Sequence, residues 1–437
     1  MTSTARLDSF RRFLTHLRER TGFAPGFVLW DGSTVPADLP ADALAVSIAD
    51  EGAVAALLRK PKIDTFANLW ASARIDIRNG TIFDLVAQRP KVRTRDLMKS
   101  LDKRLVVSTL LKFLTVSRGG PWPLENTAVR GTSDNSEGEN KENISYHYDV
   151  SNTFYTLFLD TQMLYSCAYF TDWSNDLDTA QRDKLDMICR KLRLQPGERF
   201  LDIGCGWGAL VCHAAEHYGV IAHGVTLSEE QLALARERIA SRGLSERITV
   251  ELKNYHALGD EAAGKFDKIA SIGMFEHVGI DNHPAYFATI NRLLRPRGLY
   301  LHHAIARPAK RTDKEFRKHR PEFAALVRYI FPGGELDHIG MSAANLERHG
   351  FEVHDVEGWR EHYGRTCRLW HDRLLANKDA AIREVGSVKM RMWLAYFAGC
   401  AIAFDRSTVG IFQTLASKKA RGPSGLPPTR ADLYRPG

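Results

Sequence analysis

The chain is poor in cysteine and has no long apolar run. Only six of its 437 residues are cysteines, and no two of them have the C-x-x-C spacing of a zinc site or a redox pair. The sequence therefore fits a reduced, cytoplasmic setting. The longest apolar run is residues 392–404, whereas a helix that crosses a bilayer needs about 20 apolar residues. The N-terminus also lacks the apolar core of a signal peptide. We therefore expect no spanning helix and predict a buried helix at 392–404.

Positive charge is concentrated in two segments of the chain. Residues 91–118 carry a net charge of +6 and residues 307–328 carry +5, while the whole chain carries +8, so the remainder is mildly acidic. Such basic patches are typical of proteins that meet a polyanionic surface. Anionic lipid, nucleic acid and an ordinary solvated face all remain open from charge alone.

Apolar periodicity divides the chain into two folded parts. Residues 5–20 carry an apolar helical stripe, and turn residues predict hairpins over 27–35 and 73–83. A basic amphipathic helix or helix pair over 94–116 completes a small α+β domain of residues 1–125. Residues 126–143, rich in Gly, Ser, Asn, Asp and Glu, predict a flexible linker. Residues 144–437 then form an α/β domain.

Three glycines follow the first predicted strand of that α/β domain. The segment Leu201-Asp202-Ile203-Gly204-Cys205-Gly206-Trp207-Gly208 lets the backbone turn tightly and approach a ligand. A second strand-to-helix turn, at residues 224–228, favours a doubly wound nucleotide-binding fold, and residues 228–231 resemble a capping box. The second strand does not close on an acidic residue, and there is no P-loop lysine. A cofactor without a pyrophosphate, such as S-adenosylmethionine, therefore fits better than a dinucleotide.

The strand ends also supply chemically useful side chains. Glu276 follows the fourth predicted strand, and His303 ends the fifth. Taken singly, Glu276 is equally consistent with a solvated acid in a loop, and His303 with a histidine of the core whose hydrogen bonds are satisfied. The aromatic segments 146–149 and 165–170 suit a pocket for a sulfonium cation, because ring faces attract cations.

Together these segments resemble the cyclopropane-fatty-acyl-phospholipid synthase family of S-adenosylmethionine-dependent methyltransferases. The resemblance covers about residues 143–420. It rests on YHYD (146–149), YSCAYF (165–170), LDIGCGWG (201–208), GVTLSEEQ (224–231), SIGMFEHVG (271–279), YIFPGGEL (329–336) and a C-terminal helix ending in IFQTL (411–415). It implies a Rossmann-like methyltransferase domain with a helical cap or lid around 307–335.

The resemblance also implies two sets of site residues. The implied cofactor site consists of Tyr148, Tyr165, Ser166, Gly204, Gly206, Thr226, Leu227, Gln231, Asn254 and Tyr255. At Asn254 an amide replaces the acid that usually contacts the adenine. The implied bicarbonate site, beside the reacting carbons, consists of Cys167, Glu276, His303, Ile305 and Tyr363. No metal is implied, and a homodimer is the family expectation.

The implied reaction is consistent with these residue types. A cis double bond is a poor nucleophile, so the methyl sulfonium must meet it in a dry pocket. Methyl transfer leaves a carbocation, which an electron-rich surround stabilises. By resemblance, bicarbonate then removes a proton and the ring closes. The long basic connection at 307–328 departs from the family pattern, as does Cys367, where leucine is common.

Other functions stay open at this point. The same alkene could be methylated without ring closure, giving a methyl- or methylene-branched chain, and a small soluble molecule could be methylated on N or O. A lipid-binding relic without activity is a further alternative. Nucleic acid is disfavoured, because no Asn-Pro-Pro-Tyr-type or Pro-Cys motif lies near the fourth strand. The leading hypothesis needs a phospholipid acyl chain, so residues 1–125 are expected to contact an anionic membrane from its inner, cytoplasmic face.

Overall fold

A computed structural model describes residues 2–90, 96, 100–125, 151–318 and 334–434. These residues form two compact units. One contains the described residues before 126 together with Gly386–Ala398, and the other contains most of the rest of the chain. The predicted linker at 126–143 lies outside the described residues, as does most of the predicted lid. No helix of the described residues is long and apolar enough to cross a membrane.

The N-terminal unit combines one small sheet with short helices. Its strands are β1 (Gly26–Val28), β2 (Thr34–Val35), β3 (Ala45–Ile48) and β4 (Ile75–Arg78), in the order β2-β1-β3-β4. Its helices are Ser3–Thr21, Glu51–Arg59, Ile63–Ala71, Ile82–Ala87 and Lys103–Phe113. The first of these helices buries Leu7, Phe10 and Leu14 against the sheet, as its apolar stripe predicts.

The structure confirms one predicted hairpin and contradicts the other. β1 and β2 pair antiparallel, with Phe27 opposite Val35. The hairpin predicted over 73–83 is wrong, because β4 pairs with β3 and a helix begins at Ile82. Thr81 caps that helix, accepting a hydrogen bond from the N–H of Asp84, whose side chain accepts from the N–H of Thr81. A capping box thus starts a helix where β-rich composition favoured a strand.

The larger unit is built on a seven-stranded mixed sheet. Its strands are β5 (Arg199–Ile203), β6 (Ile221–Thr226), β7 (Ile248–Leu252), β8 (Phe266–Ile272), β9 (Leu294–Ala306), β10 (Phe351–Gly358) and β11 (Gly410–Lys418). The order is β10-β11-β9-β8-β5-β6-β7. The five strands from β9 to β7 are parallel, and β11 and β10 extend the sheet in antiparallel pairing. This confirms the five strands that the sequence predicts, over 199–203, 221–225, 248–252, 268–272 and 298–303.

Helices cover both faces of this sheet. The helices of this unit are Asn152–Thr156, Leu177–Leu192, Ala209–Tyr218, Glu229–Ser241, His283–Leu293, Asp313–Phe316, Ile339–Arg348 and Arg360–Ala376, with the two ends of Lys378–Asp405, a helix that has non-helical backbone at Gly386 and whose residues 386–398 belong to the N-terminal unit. Phe200 of β5 belongs to one apolar cluster, whereas Leu201 and Ile203 belong to another. Because successive strand residues point to opposite faces, the two clusters are the cores on the two sides of the sheet.

Two local predictions for the α/β domain are wrong. The segment IFQTL (411–415) lies in β11, not at the end of a helix. The helix before it stops at Asp405, and Ser407 has a φ of +54°, a left-handed conformation that does not continue a helix. The second error concerns Gln231. Ser228 does cap the helix Glu229–Ser241, but the Gln231 side chain accepts from Thr226 Oγ1 and does not return to the cap backbone.

Candidate active site

A cavity of about 370 Å³ lies at the carboxyl ends of β5, β6, β7 and β8. This is where ligands bind in open parallel sheets. Nine residues of the predicted cofactor set line it: Tyr165, Ser166, Gly204, Gly206, Thr226, Leu227, Gln231, Asn254 and Tyr255. The tenth, Tyr148, lies outside the described residues, as does the rest of YHYD.

The glycine loop gives the cavity its floor. Gly204 and Gly206 have φ angles of +80° and +54°, in the left-handed region that glycine adopts readily. The N–H groups of Gly204 and Cys205 both donate to the carbonyl of Val225, at 2.9 and 3.0 Å, which ties the loop to β6. A Cβ on Gly204 would lie 3.0 Å from Cβ of Met274, so the loop also packs closely on the residues after β8.

The ends of β6 and β7 hold the far side of the cavity. Thr226 Oγ1 donates to Gln231 Oε1 at 2.8 Å, which fixes both side chains at the rim. After β7, Asn254 Oδ1 accepts from the N–H of His256 at 3.1 Å and starts a short 3-10 turn. β6 ends at Thr226, so a hydroxyl lies where a dinucleotide site usually has the carboxylate that binds the ribose.

Aromatic rings form a wall around Tyr165. Its ring centre lies 5.1 Å from that of Trp370, 5.6 Å from Tyr155 and 6.3 Å from Phe158. Tyr155 in turn meets Trp207 of the glycine loop at 5.0 Å. Of these rings, Tyr165 and Trp207 line the cavity itself, next to predicted cofactor contacts, and aromatic rings attract cations.

Glu276 lies buried just after β8, beside this cavity. It is 2% exposed, and its Oε1 accepts from the N–H of Ile305 on β9 at 2.7 Å. Its Oε2 is buried and has no hydrogen-bond partner among the described residues. Glu335 donates its N–H to the Glu276 carbonyl at 2.9 Å, which helps to hold this segment in place.

His303 lies on β9 next to the same segment. Its carbonyl accepts from the N–H of Gly273 at 2.9 Å, while its ring is fully buried. Neither ring nitrogen has a hydrogen-bond partner in the part of the chain that is described. The ring of Trp359, which follows β10, lies 5.4 Å away in an edge-on arrangement. Buried polar groups are normally hydrogen-bonded, so Glu276 and His303 together indicate a place for a small polar ligand.

Cys167 and Tyr363 approach the same region from other segments. The Cys167 thiol is buried and lies 3.2 Å from its acceptor, the carbonyl of Ala168, and 3.9 Å from that of Trp359. Tyr363 lies one turn beyond Trp359, whose carbonyl accepts its N–H at 3.1 Å. Burial holds the pKa of Tyr363 well above its usual range, and the negative charges of nearby groups, Cys167 and Glu276 among them, act in the same direction.

Burial decides the protonation states of this second set. It raises the pKa of Glu276 to about 7, because no cation compensates the desolvated carboxylate. Burial also holds the pKa of His303 well below its usual range, with the positive charges of Lys184 and Lys191 acting in the same direction. Burial raises the pKa of Cys167 as well. The site thus presents a neutral thiol, a neutral imidazole and a carboxyl group that can hold its proton near neutrality.

Sequence reasoning missed several residues of the site. Lys184, Asp202, Lys253, His256, Met274 and His277 also line the cavity. Asp202 and His277 lie within the quoted motifs, so their neighbours could have indicated them. Lys184 lies in a helix with an ordinary amphipathic pattern, and no local signal distinguishes it from a surface lysine. Of the predicted lid, residues 307–318 and 334–335 are described, and the Arg307 guanidinium lies 3.6 Å over the ring of Phe316.

Comparisons with known proteins identify the family of the chain. The family described as "Mycolic acid cyclopropane synthetase" matches residues 135–414. A "Probable fatty acid methyltransferase" of Pseudomonas putida is 45% identical over 301 residues, which are 67% of this chain and 74% of the relative. The cyclopropane-fatty-acyl-phospholipid synthase of Escherichia coli K12 is 39% identical over 272 residues, 62% of this chain and 66% of that protein.

A solved structure leads to the same family. The mycolic acid cyclopropane synthase CmaA1, crystallised with SAH and CTAB, is 34% identical, with a TM-score of 0.59 over 64% of this chain and 98% of that chain. The predicted doubly wound fold and the predicted family are thereby confirmed. The chain belongs to the cyclopropane synthase family of S-adenosylmethionine-dependent methyltransferases.

Proposed function

We propose that this protein transfers the methyl group of S-adenosylmethionine to the cis double bond of an unsaturated phospholipid acyl chain and closes a cyclopropane ring with bicarbonate as base. The observation that carries the proposal is the buried pair of Glu276 and His303 beside the cavity, with a free carboxyl oxygen and a free imidazole among the described residues. If the two residues had only a structural role, these buried polar atoms would stay without hydrogen bonds, which would cost stability.

The residues of the cavity fit the cofactor. Left-handed glycines allow close approach of a ligand, rings surround Tyr165, and the end of β6 carries a hydroxyl in place of an acid. When bound, S-adenosylmethionine would supply an electrophilic methyl group. Ser166, Gly204 and Gly206 would hold its amino-acid portion, while Asn254 and Tyr255 would flank its adenine.

The buried set fits bicarbonate. When bound, this ion would supply the base that accepts the proton lost on ring closure. Protonated Glu276 can donate a hydrogen bond to an anion through the oxygen that has no protein partner, and neutral His303 can donate one N–H. Burial of the whole set excludes water, which protects a cationic intermediate from hydrolysis.

Access to lipid is the task we assign to the N-terminal unit. In the helix Lys103–Phe113 and its C-terminal cap, Val107, Leu111 and Leu114 follow each other at helical spacing and are 55%, 58% and 45% exposed. Basic residues flank this stripe: Lys103, Arg104 and Lys112. An exposed apolar face with a basic border is typical of helices that lie in an anionic membrane surface. We place the protein peripherally on the inner face of the membrane.

A vesicle experiment tests this surface. The double variant Val107→Ser/Leu111→Ser should bind anionic phosphatidylglycerol vesicles at least tenfold more weakly, and binding of the native protein should weaken as salt is raised. Leu375→Ser, another exposed leucine, serves as the matched control and should bind normally. Equal binding to zwitterionic vesicles, unaffected by salt, would contradict the proposed surface.

Methylation without ring closure is the second candidate. It is favoured by the 45% identity to a relative named a probable fatty acid methyltransferase. The bicarbonate set does not separate the two outcomes, because both reactions pass through methyl transfer to the same alkene and loss of a proton.

Lipid analysis of an expressing host distinguishes them. Mass spectrometry should show acyl chains heavier by one CH₂, with high-field cyclopropane protons in the NMR spectrum. Glu276→Gln should abolish this product and still bind S-adenosylhomocysteine (SAH). The control Glu237→Gln, at an exposed position, should form the product as the native protein does. Vinylidene or branched-methyl signals would establish the second candidate. Unchanged lipids with the cofactor still bound would refute both.

A further inference from the structure

Lys184 is a buried cation that forms no ion pair with any of the described residues. It lies on the helix Leu177–Leu192, lines the cavity and is only 1% exposed. Its Nζ donates to Ser166 Oγ at 2.8 Å. No carboxylate of the described residues forms an ion pair or hydrogen bond with it, although the charges of Asp160 and Asp202 act on it from a distance.

The groups around Lys184 balance its positive charge only in part. Burial lowers its pKa to about 8, and burial also raises the pKa of nearby Asp202 to about 7, which weakens that carboxylate as a counter-ion near neutrality. The remaining titratable neighbours are Asp160, Cys167 and His303; burial raises the pKa of Asp160 as well. A buried ammonium is costly unless an opposite charge approaches it. An anionic group entering the cavity at this point would therefore be stabilised.

Strand order indicates which end of the cofactor meets Lys184. A Cβ on Gly273, just after β8, would lie 3.8 Å from Cβ of Ser166, so Ser166 belongs to the β8 end of the cavity. Asn254 follows β7, which lies three strand spacings away, or roughly 14 Å. Since Glu276 also follows β8, the reacting end of the cofactor belongs at β8 and the adenine at β7. The reacting end carries the amino-acid portion with its carboxylate.

We propose that Lys184 is a positioning residue that fixes Ser166 as a hydrogen-bond donor to the carboxylate of the cofactor. Since the Ser166 oxygen accepts from the ammonium, its own proton is directed away from Lys184 and is available to a ligand in the cavity. The carboxylate then also balances the buried charge. This inference rests on the proposed function only in taking S-adenosylmethionine as the cofactor.

Calorimetric binding of two ligands tests the proposal. S-adenosylhomocysteine carries the carboxylate, whereas 5′-methylthioadenosine lacks the whole amino-acid portion. Lys184→Met should weaken the first at least tenfold and change the second less than twofold. The double variant Lys184→Met/Ser166→Ala should bind S-adenosylhomocysteine no more than threefold more weakly than Ser166→Ala alone, because Lys184 acts through Ser166. Lys268→Met, a buried lysine of β8 paired with Glu198, is the matched control and should bind both ligands normally.

Stability supplies a readout that a merely structural lysine would not give. Without a counter-ion to lose, ligand-free Lys184→Met should unfold at the native temperature or above it. The proposal would be overturned if Lys184→Met bound S-adenosylhomocysteine as tightly as the native protein does. It would also be overturned if the variant lost affinity for both ligands to the same degree. If Lys184→Met does not fold, Lys184→Gln must show the same split between ligands or the proposal fails. A native protein that binds neither ligand would instead refute the cofactor assignment itself.

Discussion

Glu276→Gln should make the stability of the protein depend less on pH. Glu276 is buried, and burial raises its pKa from the ordinary 4.5 to about 7. Between these two values the folded protein holds a proton that the unfolded chain has released. Stability that is fully present below pH 4.5 is therefore lost as the pH rises through about 7. Glutamine does not titrate, so this loss disappears in the variant.

The size of the effect follows from the two pKa values. At about 1.4 kcal/mol for each pKa unit, a rise from 4.5 to about 7 is worth about 3 kcal/mol, most of it between pH 5 and pH 8. The amide retains the oxygen that accepts from the N–H of Ile305, so the variant should keep the fold. We expect the free energy of unfolding of Glu276→Gln, relative to native protein, to rise by about that amount from pH 5 to pH 8.

Urea unfolding of ligand-free protein, followed by tryptophan fluorescence and by circular dichroism, measures this difference. Burial raises the pKa of Asp202 to about 7 too, but this residue titrates alike in the native protein and the variant, so the comparison cancels it. The pKa of Asp337 is also raised to about 7, in part by the charge of Glu276, and removing that charge acts in the same direction as the expected effect. Glu237→Gln, in an exposed position, is the control. A relative stability that changes by less than about 1 kcal/mol between pH 5 and pH 8 would show that the Glu276 carboxylate is solvated or paired, and the reasoning would be wrong.

The glycine loop and the N-terminal unit allow further predictions. Gly204→Ala should destabilise the fold by about 1–3 kcal/mol in urea unfolding, because its Cβ would meet Met274 and its φ is positive. Gly206→Ala also has a positive φ, but no described residue other than its chain neighbours lies within 4 Å of the new Cβ, so it should destabilise the fold less than Gly204→Ala does, while its Cβ at the cavity should weaken binding of S-adenosylhomocysteine. Arg391→Met should lower the stability of the N-terminal unit by about 2–4 kcal/mol, because it removes three hydrogen bonds made by a partly buried guanidinium; the exposed Lys389→Met should not. Equal losses of stability in Gly204→Ala and Gly206→Ala, or in Arg391→Met and Lys389→Met, would contradict the prediction for that pair.

Local sequence was a good guide wherever the backbone pattern was also local. The limits of β5 and β7 match the prediction, because each is a short run of apolar and β-branched residues between turn signals. The glycine loop likewise specifies its own geometry. The failures at 73–83 and 411–415 came from segments whose composition is ambiguous between helix and strand. A capping box decided the first, and pairing with β9, more than 100 residues earlier in the chain, decided the second.

The reaction site was less predictable than the cofactor cavity for a topological reason. The cavity is made by loops at adjacent parallel strand ends, and strand order follows from the doubly wound pattern. Trp359 reaches His303 only because β11 lies between β10 and β9, with the Trp359 N–H donating to the carbonyl of Ile411. No period or motif predicts that pairing. Only the family resemblance located Tyr363, and nothing located Trp359.

The two buried lysines near His303 illustrate the same limit. Lys184 and Lys191 lie seven residues apart, two turns along one face of the helix Leu177–Leu192, and both hold the pKa of His303 down. Lys191 is bonded to Glu357 and to Gln413, so the protein itself satisfies it. Among the described residues, Lys184 bonds only to the hydroxyl of Ser166. The pattern of the helix sequence does not distinguish the two lysines. They differ because Glu357 on β10 reaches Lys191 and not Lys184, and this difference is why we assign Lys184, and not Lys191, to a ligand.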